Sequence, residues 1–220
     1  MNKQIWYIQQ LDLFKGITKE KLEYIDSLFD MKEYIKREVI FEPGDKNKVF
    51  IVKTGIVEIY QLNYSGKKVI IERLLPGSFF GDLGTEGKSE LFVEATTNSY
   101  VCGLNKDRFF LLISQYPDIS AKLMKQLFDR LLQVEKRMSS IASDNVFQRF
   151  IKLLLSLGKT KSSGHMEISN QYTHEELSQM LGISRQTVST IINQLEKKGL
   201  IQRKGKLIYF NPSILTSHAD

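Results

Sequence analysis

In GISRQTVSTIINQLEKKGLI, residues 182–201, apolar side chains recur at steps of three and four, with Val188, Ile191, Ile192 and Leu195 on one side. That period predicts an amphipathic helix, and Ser184 is its natural N-cap. The opposite side carries Arg185, Gln186, Ser189, Thr190 and Asn193, short or fork-shaped donors and acceptors rather than the Glu–Lys pairs of a merely solvated helix. Just upstream, YTHEELSQML predicts a second helix whose Thr173 and Glu176 have the spacing of a capping box. Leu177, Met180 and Leu181 form its inner face, Ser178 is small where the next helix must approach, and Gly182 supplies the turn. Two helices joined this tightly make a helix-turn-helix. GLIQRKGKLIYFNP then predicts a β-hairpin around Lys204-Gly205-Lys206, a basic wing.

Elsewhere the pattern changes twice. Residues 1–30 read as helical, with Leu22, Ile25, Leu28 and Phe29 on one face after a Thr18 cap. From about 33 to 105, the runs EVIF, VFIV, IVEIYQL, KVIIERLL and YVCGL are separated by Gly-containing turns, which predicts an all-β sandwich or barrel. Helical period returns at KDRFFLLISQYP. Between Asp118 and Ser143, Met124, Leu127, Leu131, Val134, Met138 and Ile141 keep an unbroken heptad spacing. A strict heptad exceeds what packing inside one chain needs, so this seam is expected to pair with its copy in a second chain. Leu123, Phe128 and Leu132 make a second stripe, expected to cover the β-rich region. After a break near SDN comes the apolar helix VFQRFIKLLLSLG, followed by a polar loop, KTKSSGH. The expected division is 1–117, 118–143 and 144–220.

Composition narrows the setting. The 220 residues are 42% hydrophobic and 25% charged, ordinary for a globular chain of two domains. No run approaches the roughly 18 apolar residues of a membrane span, and MNKQIWYIQQLDLF has no signal-peptide core. A single cysteine, Cys102 within YVCGL, reads as a core residue. A reducing cytoplasm fits. The formal charge is +6, and residues 144–220 hold ten Lys and Arg against six Asp and Glu, which weakly suggests a polyanionic partner.

The chemistry follows from the polar face. A DNA major groove admits one helix and presents a distinct donor and acceptor pattern for each base pair. Arg185 can donate two bonds to a guanine, Gln186 can pair bidentately with an adenine, and Thr190 offers a methyl and a hydroxyl. Arg203, Lys204 and Lys206 stand where backbone phosphates would lie and can fix register. A helical hairpin buried in a core leaves the polar face and the basic wing unexplained.

FEPGD, FIVKTGIVEIY and LLPGSFFGDLG, followed by the 182–201 stretch, resemble in order and spacing the CRP/FNR family, named for the cyclic-AMP receptor protein and the fumarate and nitrate reduction regulator. The resemblance spans nearly the whole chain. It implies an α+β protein: an N-terminal cyclic-nucleotide-binding-like β-roll of jelly-roll type, a long dimerisation helix and a C-terminal winged helix-turn-helix. It further implies a homodimer on an inverted-repeat operator in double-stranded DNA, RNA polymerase as a partner and a small-molecule effector. Arg185, Gln186, Ser189 and Thr190 take the base-reading positions, with Thr173, Ser184, Thr187 and Asn193 joining the wing residues at the phosphates. Thr190 occupies the place of a second reading arginine in the cyclic-AMP receptor, so that half-site is not expected to carry over.

The sensor departs further. Cyclic-nucleotide members of the family clamp the cyclic phosphate with a Gly-Glu and an Arg-Ser. Here the matching positions are Gly81-Asp82 and Ser89-Glu90, with Leu83 and Lys88 between, and the adenine-contacting hydroxyl pair falls on Val134 and Glu135 beside Leu131. A buried cyclic phosphate without a paired cation is costly, and Lys88 lacks the fork of an arginine. Cyclic AMP is therefore not expected as the effector, which should be either a different small molecule in the cavity between the roll and the dimerisation helix or absent altogether. One cysteine cannot ligate an iron–sulfur cluster, and a haem sensor stays open with no matched ligand. Two rivals remain in view. GDLGTEGKS looks like a phosphate loop, but five residues separate Gly81 from Gly87 where a P-loop has four. A β-roll regulating a protein partner would need neither reading helix nor wing. His165, His174 and His218 show no metal spacing and are expected to be solvated.

Overall fold

The computed structural model describes residues 11–84, 89–161, 165–168, 172–204 and 207–217. The chain divides into two compact units, Met1–Leu131 and Leu132–Asp220.

The first elements described in the first unit are a 3-10 turn, Asp12–Phe14, and helix α1, Lys19–Ser27. Thr18 takes the N-cap position, but its side chain makes no capping bond. Among the described residues eight strands follow: β1 (Asp30–Tyr34), β2 (Val39–Phe41), β3 (Lys48–Thr54), β4 (Val57–Leu62), β5 (Lys68–Leu74), β6 (Phe79–Asp82), β7 (Phe92–Ala95) and β8 (Ser99–Asn105). They form two antiparallel sheets, ordered β1-β8-β3-β6 and β2-β7-β4-β5. Strands far apart in sequence lie side by side, as in a jelly roll. Phe41, Phe50, Val57, Phe80, Val93 and Val101 fill one core cluster. Phe50 stacks on Phe80 with ring centroids 5.1 Å apart.

Strands β1, β6 and β7 are not visible in the hydrophobic pattern. β1, DMKEY, pairs on one side only and buries just Tyr34, so its residues are polar. Helices α2 (Lys106–Gln115) and α3 (Pro117–Ser143) follow β8. Leu112, Ile119 and Leu123 join Leu13, Leu22, Ile25, Ile51 and Cys102 in a second cluster. Burial pushes the Cys102 thiol up to about 11, which keeps it an inert core group. The second stripe of α3 behaves differently from its expected role. Leu123 is buried, but Phe128 and Leu132 are exposed, because the side of the helix facing the roll carries Gln126 and Arg130 instead.

The second unit contains α4 (Val146–Leu157), β9 (Lys159–Thr160), β10 (Met166–Ile168), α5 (His174–Leu181), α6 (Arg185–Lys197), β11 (Ile201–Lys204), β12 (Leu207–Phe210) and α7 (Pro212–Thr216). Its sheet is ordered β11-β12-β10-β9. The expected wing hairpin is therefore widened by two short strands, β9 at the start of the stretch KTKSSGH and β10 just after it, where a polar sequence conceals them. Asn145 and Gln148 form a capping box that starts α4. Phe150, Ile151 and Leu154 from α4 pack with Leu177, Val188, Ile191, Ile192 and Leu195. Truncating Phe150, fully buried here, to alanine should destabilise this unit by roughly 3–5 kcal/mol. Urea unfolding followed by a probe in the second unit measures the loss.

Candidate nucleic-acid interface and sensor cavity

Helices α5 and α6 are held by their ends. Thr173 Oγ1 accepts from the Glu176 amide at 3.1 Å, and the Glu176 carboxylate accepts from the Thr173 amide at 2.6 Å. Gly182 closes α5 in the left-handed conformation, φ +65°, which an L side chain adopts only at a cost. Ser184 then caps α6, accepting from the Thr187 amide at 3.0 Å and pairing with the Thr187 hydroxyl at 2.8 Å. Because Val188, Ile191, Ile192 and Leu195 are buried, the opposite face must turn outward. Arg185, Gln186, Thr190 and Asn193 are exposed there, with Ser189 partly so.

Both hydroxyls on that face spend their protons on the helix. Ser189 Oγ donates to the Arg185 carbonyl at 3.1 Å, and Thr190 Oγ1 to the Gln186 carbonyl at 3.0 Å. Their outward lone pairs suit amino donors on base edges. The wing is less uniformly basic than its sequence. Arg203 Nε donates to Glu196 at 3.0 Å, and an NH2 contact reaches Asn193 Oδ1 at 3.5 Å. That pairing holds the Glu196 carboxyl below its usual range and raises the arginine further. Lys204 lies 5.9 Å from the Tyr209 ring centroid. Lys206 falls outside the described residues.

One cavity of the first unit, about 220 Å³, is lined by Phe41, Val49, Ile59, Phe79, Phe80, Gly81, Leu83, Ser89, Leu91, Val93, Phe109, Leu127 and Arg130; a larger one, about 440 Å³, lies apart from it, lined by residues such as Lys53, Gly77 and Gln126. Of the expected effector residues, Gly81, Leu83 and Ser89 line the smaller cavity. Gly81 sits in β6 at φ +134°, where an added Cβ would strike the Lys48 carbonyl, so it is part of the sheet rather than of a phosphate loop. Asp82 accepts the Gly84 amide at 2.6 Å, and Glu90 accepts from Gln61 Nε2 at 2.7 Å. Leu131, Val134 and Glu135 are exposed and do not line the cavity. Lys88 lies outside the described residues. Among the described lining residues Arg130 is the charged one; the hydrophobic pattern passed over it, although its place three residues after Leu127 puts it on the same helical side. Its NH2 donates to Glu72 at 2.6 Å and its NH1 to the Phe79 carbonyl at 3.0 Å. No group of three potential metal ligands occurs among the described residues.

His174 departs from its expected place. Expected in solvent, it is half-buried, with Nδ1 2.9 Å from Ser189 Oγ. Since the Ser189 proton goes to Arg185, the neutral imidazole donates through Nδ1–H. Burial foremost, then the charges of Arg203 and Arg185, hold its pKa below the ordinary histidine value. Below about pH 6.5 the unfolded chain therefore takes up a proton that the folded one resists, and stability falls until the folded value is passed. The melting temperature of the second unit should drop between pH 7 and 5.5, and His174→Gln should flatten that slope.

The comparisons with known proteins agree with this geometry. Residues 31–116 match a cyclic nucleotide-binding domain and residues 148–216 a Crp-like helix-turn-helix domain. The cAMP-activated global transcriptional regulator CRP of Salmonella typhimurium is 32% identical over 206 residues, covering 89% of this chain and 96% of that protein. Among solved structures, a CooA mutant from Carboxydothermus hydrogenoformans superposes with a TM-score of 0.78 at 21% identity, covering 100% of this chain and 97% of that one. The c-di-GMP responsive global regulator CLP of Xanthomonas campestris gives 0.76 at 21%, covering 88% and 99%. A capped helix with an outward donor–acceptor face, a wing beside it and a β-roll before it are thus joined to kinship along almost the whole chain, which belongs to the CRP/FNR family of DNA-binding transcriptional regulators.

Proposed function

We propose that this regulator acts in the cytoplasm as a homodimer on inverted-repeat DNA, reading base edges with Arg185, Gln186, Ser189 and Thr190. The supporting observation is the exposed polar face of α6 opposite a fully buried apolar one. Thr173, Ser184, Thr187 and Asn193 meet backbone phosphates, with Lys204 and Lys206 from the wing. Arg203, bonded to Glu196, steadies the wing against α6 as well as facing phosphate. RNA polymerase is the further protein partner.

The proposed two-fold seam is Met124, Leu127, Leu131, Val134, Met138 and Ile141. All six are 49–65% exposed in the single chain, a heptad stripe of large apolar groups that water disfavours. In this division the roll spans 1–117, the dimerisation helix 118–143 and the DNA-binding region 144–220. Pairing would present two α6 helices about 34 Å apart, one turn of DNA. The effector is a small molecule other than cyclic AMP. Relatives are named as cAMP-activated, but here the clamp positions hold Ser89 and Glu90, and Glu90 is turned to Gln61.

Two measurements check this reading. Replacing Leu131 and Val134 by lysine should give monomers without specific DNA binding, and a wild-type chain that sediments as a monomer at micromolar concentration would contradict it. Arg185→Ala should weaken binding by roughly 1–3 kcal/mol and relax preference at one base pair. Lys204→Ala should instead weaken all sequences alike and reduce the salt slope by about 1. Fluorescence anisotropy on operator and scrambled duplexes at several salt concentrations separates the two behaviours.

A further inference from the structure

The wall of the roll's cavity has a chemistry of its own. About 220 Å³ of space is bounded by Phe41, Ile59, Phe80, Val93 and Phe109, with Leu127 and Arg130 of α3 on the remaining side. The first five are all buried. An apolar cavity of about 150 Å³ stays dry and binds benzene, so this one admits a single ring carrying a substituent. Ser89 and Arg130 are the polar side chains among the described lining residues. Ser89 Oγ accepts the Leu91 amide at 3.3 Å.

The charge of Arg130 is already matched. Its two recorded donations go to Glu72 at 2.6 Å and to the Phe79 carbonyl at 3.0 Å. A guanidinium carries five N–H groups, so it can still donate to a further acceptor. What the ion pair removes is the net positive charge that would offset an anion. Since Arg130 is the one cation among the described lining residues, a carboxylate or phosphate entering that wall would lose its hydration without a cation of its own there. A neutral carbonyl or hydroxyl would keep its hydrogen bond and let the ring fill the apolar space.

We infer that this cavity binds a compact, uncharged apolar molecule of about one ring, whose single hydrogen-bond-accepting group faces Arg130. The inference rests on the effector reading above and supplies its chemical class. Such a molecule touches Leu127 and Arg130, so it contacts α3 directly and can favour one position of that helix over another.

The test titrates the full-length protein with fluorobenzene, 4-fluoroacetophenone and 4-fluorobenzoate by fluorine NMR, and with cyclic AMP by calorimetry. Operator affinity is measured in the same buffer. 4-Fluoroacetophenone should bind saturably and at least about tenfold more tightly than 4-fluorobenzoate, and cyclic AMP should give no saturable heat. Val93→Phe fills the cavity and should weaken the neutral probes at least about tenfold. Should that variant fail to fold, Glu72→Gln addresses the charge argument from the partly exposed rim. By freeing Arg130 it should shift the preference toward 4-fluorobenzoate at least about tenfold. Tighter binding of 4-fluorobenzoate or cyclic AMP by the unmodified protein overturns the inference, as does an unchanged preference in Glu72→Gln. Saturable binding of the neutral probe with unaltered operator affinity supports the ligand class and overturns the effector reading instead.

Discussion

The attachment of α3 to the roll is the constraint on which the remaining structure depends. A helix of 27 residues, about 40 Å long, cannot be stabilised by propensity alone and needs a packed face. Ile119 and Leu123 supply the apolar part, buried in the roll's second core cluster. Lys122 donates to the Lys15 carbonyl at 2.6 Å, Gln126 to the Gly77 carbonyl at 3.2 Å, and Arg130 to the Phe79 carbonyl. This succession turns the helix so that its heptad stripe is left outward. The same face choice brings Leu127 and Arg130 to the cavity. The exposed heptad stripe and the α3 side of the cavity are two consequences of one helical rotation.

In the second unit the corresponding constraint is local. Capping bonds at Thr173 and Ser184 and the left-handed Gly182 set the turn between α5 and α6, and the buried Ser178 permits their approach. Once Val188, Ile192 and Leu195 are inside, the outward positions of Arg185 and Gln186 are fixed by helical period. His174, at the start of α5, is bonded across to Ser189 on α6. That bond couples the first helix to the polar face of the second.

Much of this is legible in the amino-acid order, for physical reasons that differ by element. The helix-turn-helix is legible because each of its features is local: caps three residues from their partners, a glycine at the turn, an apolar period. The β-rich region is legible as a class, but β1 hides behind polar residues because an edge strand with one buried side chain needs no apolar alternation. The exposed Phe128 and Leu132 could not be foreseen, since hydrophobicity says what would prefer burial and not which partner is present. The surroundings of the cavity are the least legible part. Asp82 and Glu90 are engaged by Gly84 and Gln61, and Arg130 meets Glu72 across 58 residues. No spacing rule reports a contact of that range.

Two of the anchors of α3, from Gln126 and Arg130, end on main-chain oxygens, those of Gly77 and Phe79. A carbonyl is present whatever side chain its residue carries. Residues along β6 and the facing strands can therefore be exchanged, altering the volume and polarity of the cavity, without loosening these two bonds. The scaffold separates what holds the helix from what shapes the cavity. Single substitutions can therefore remodel the cavity while the link from roll to helix stays intact.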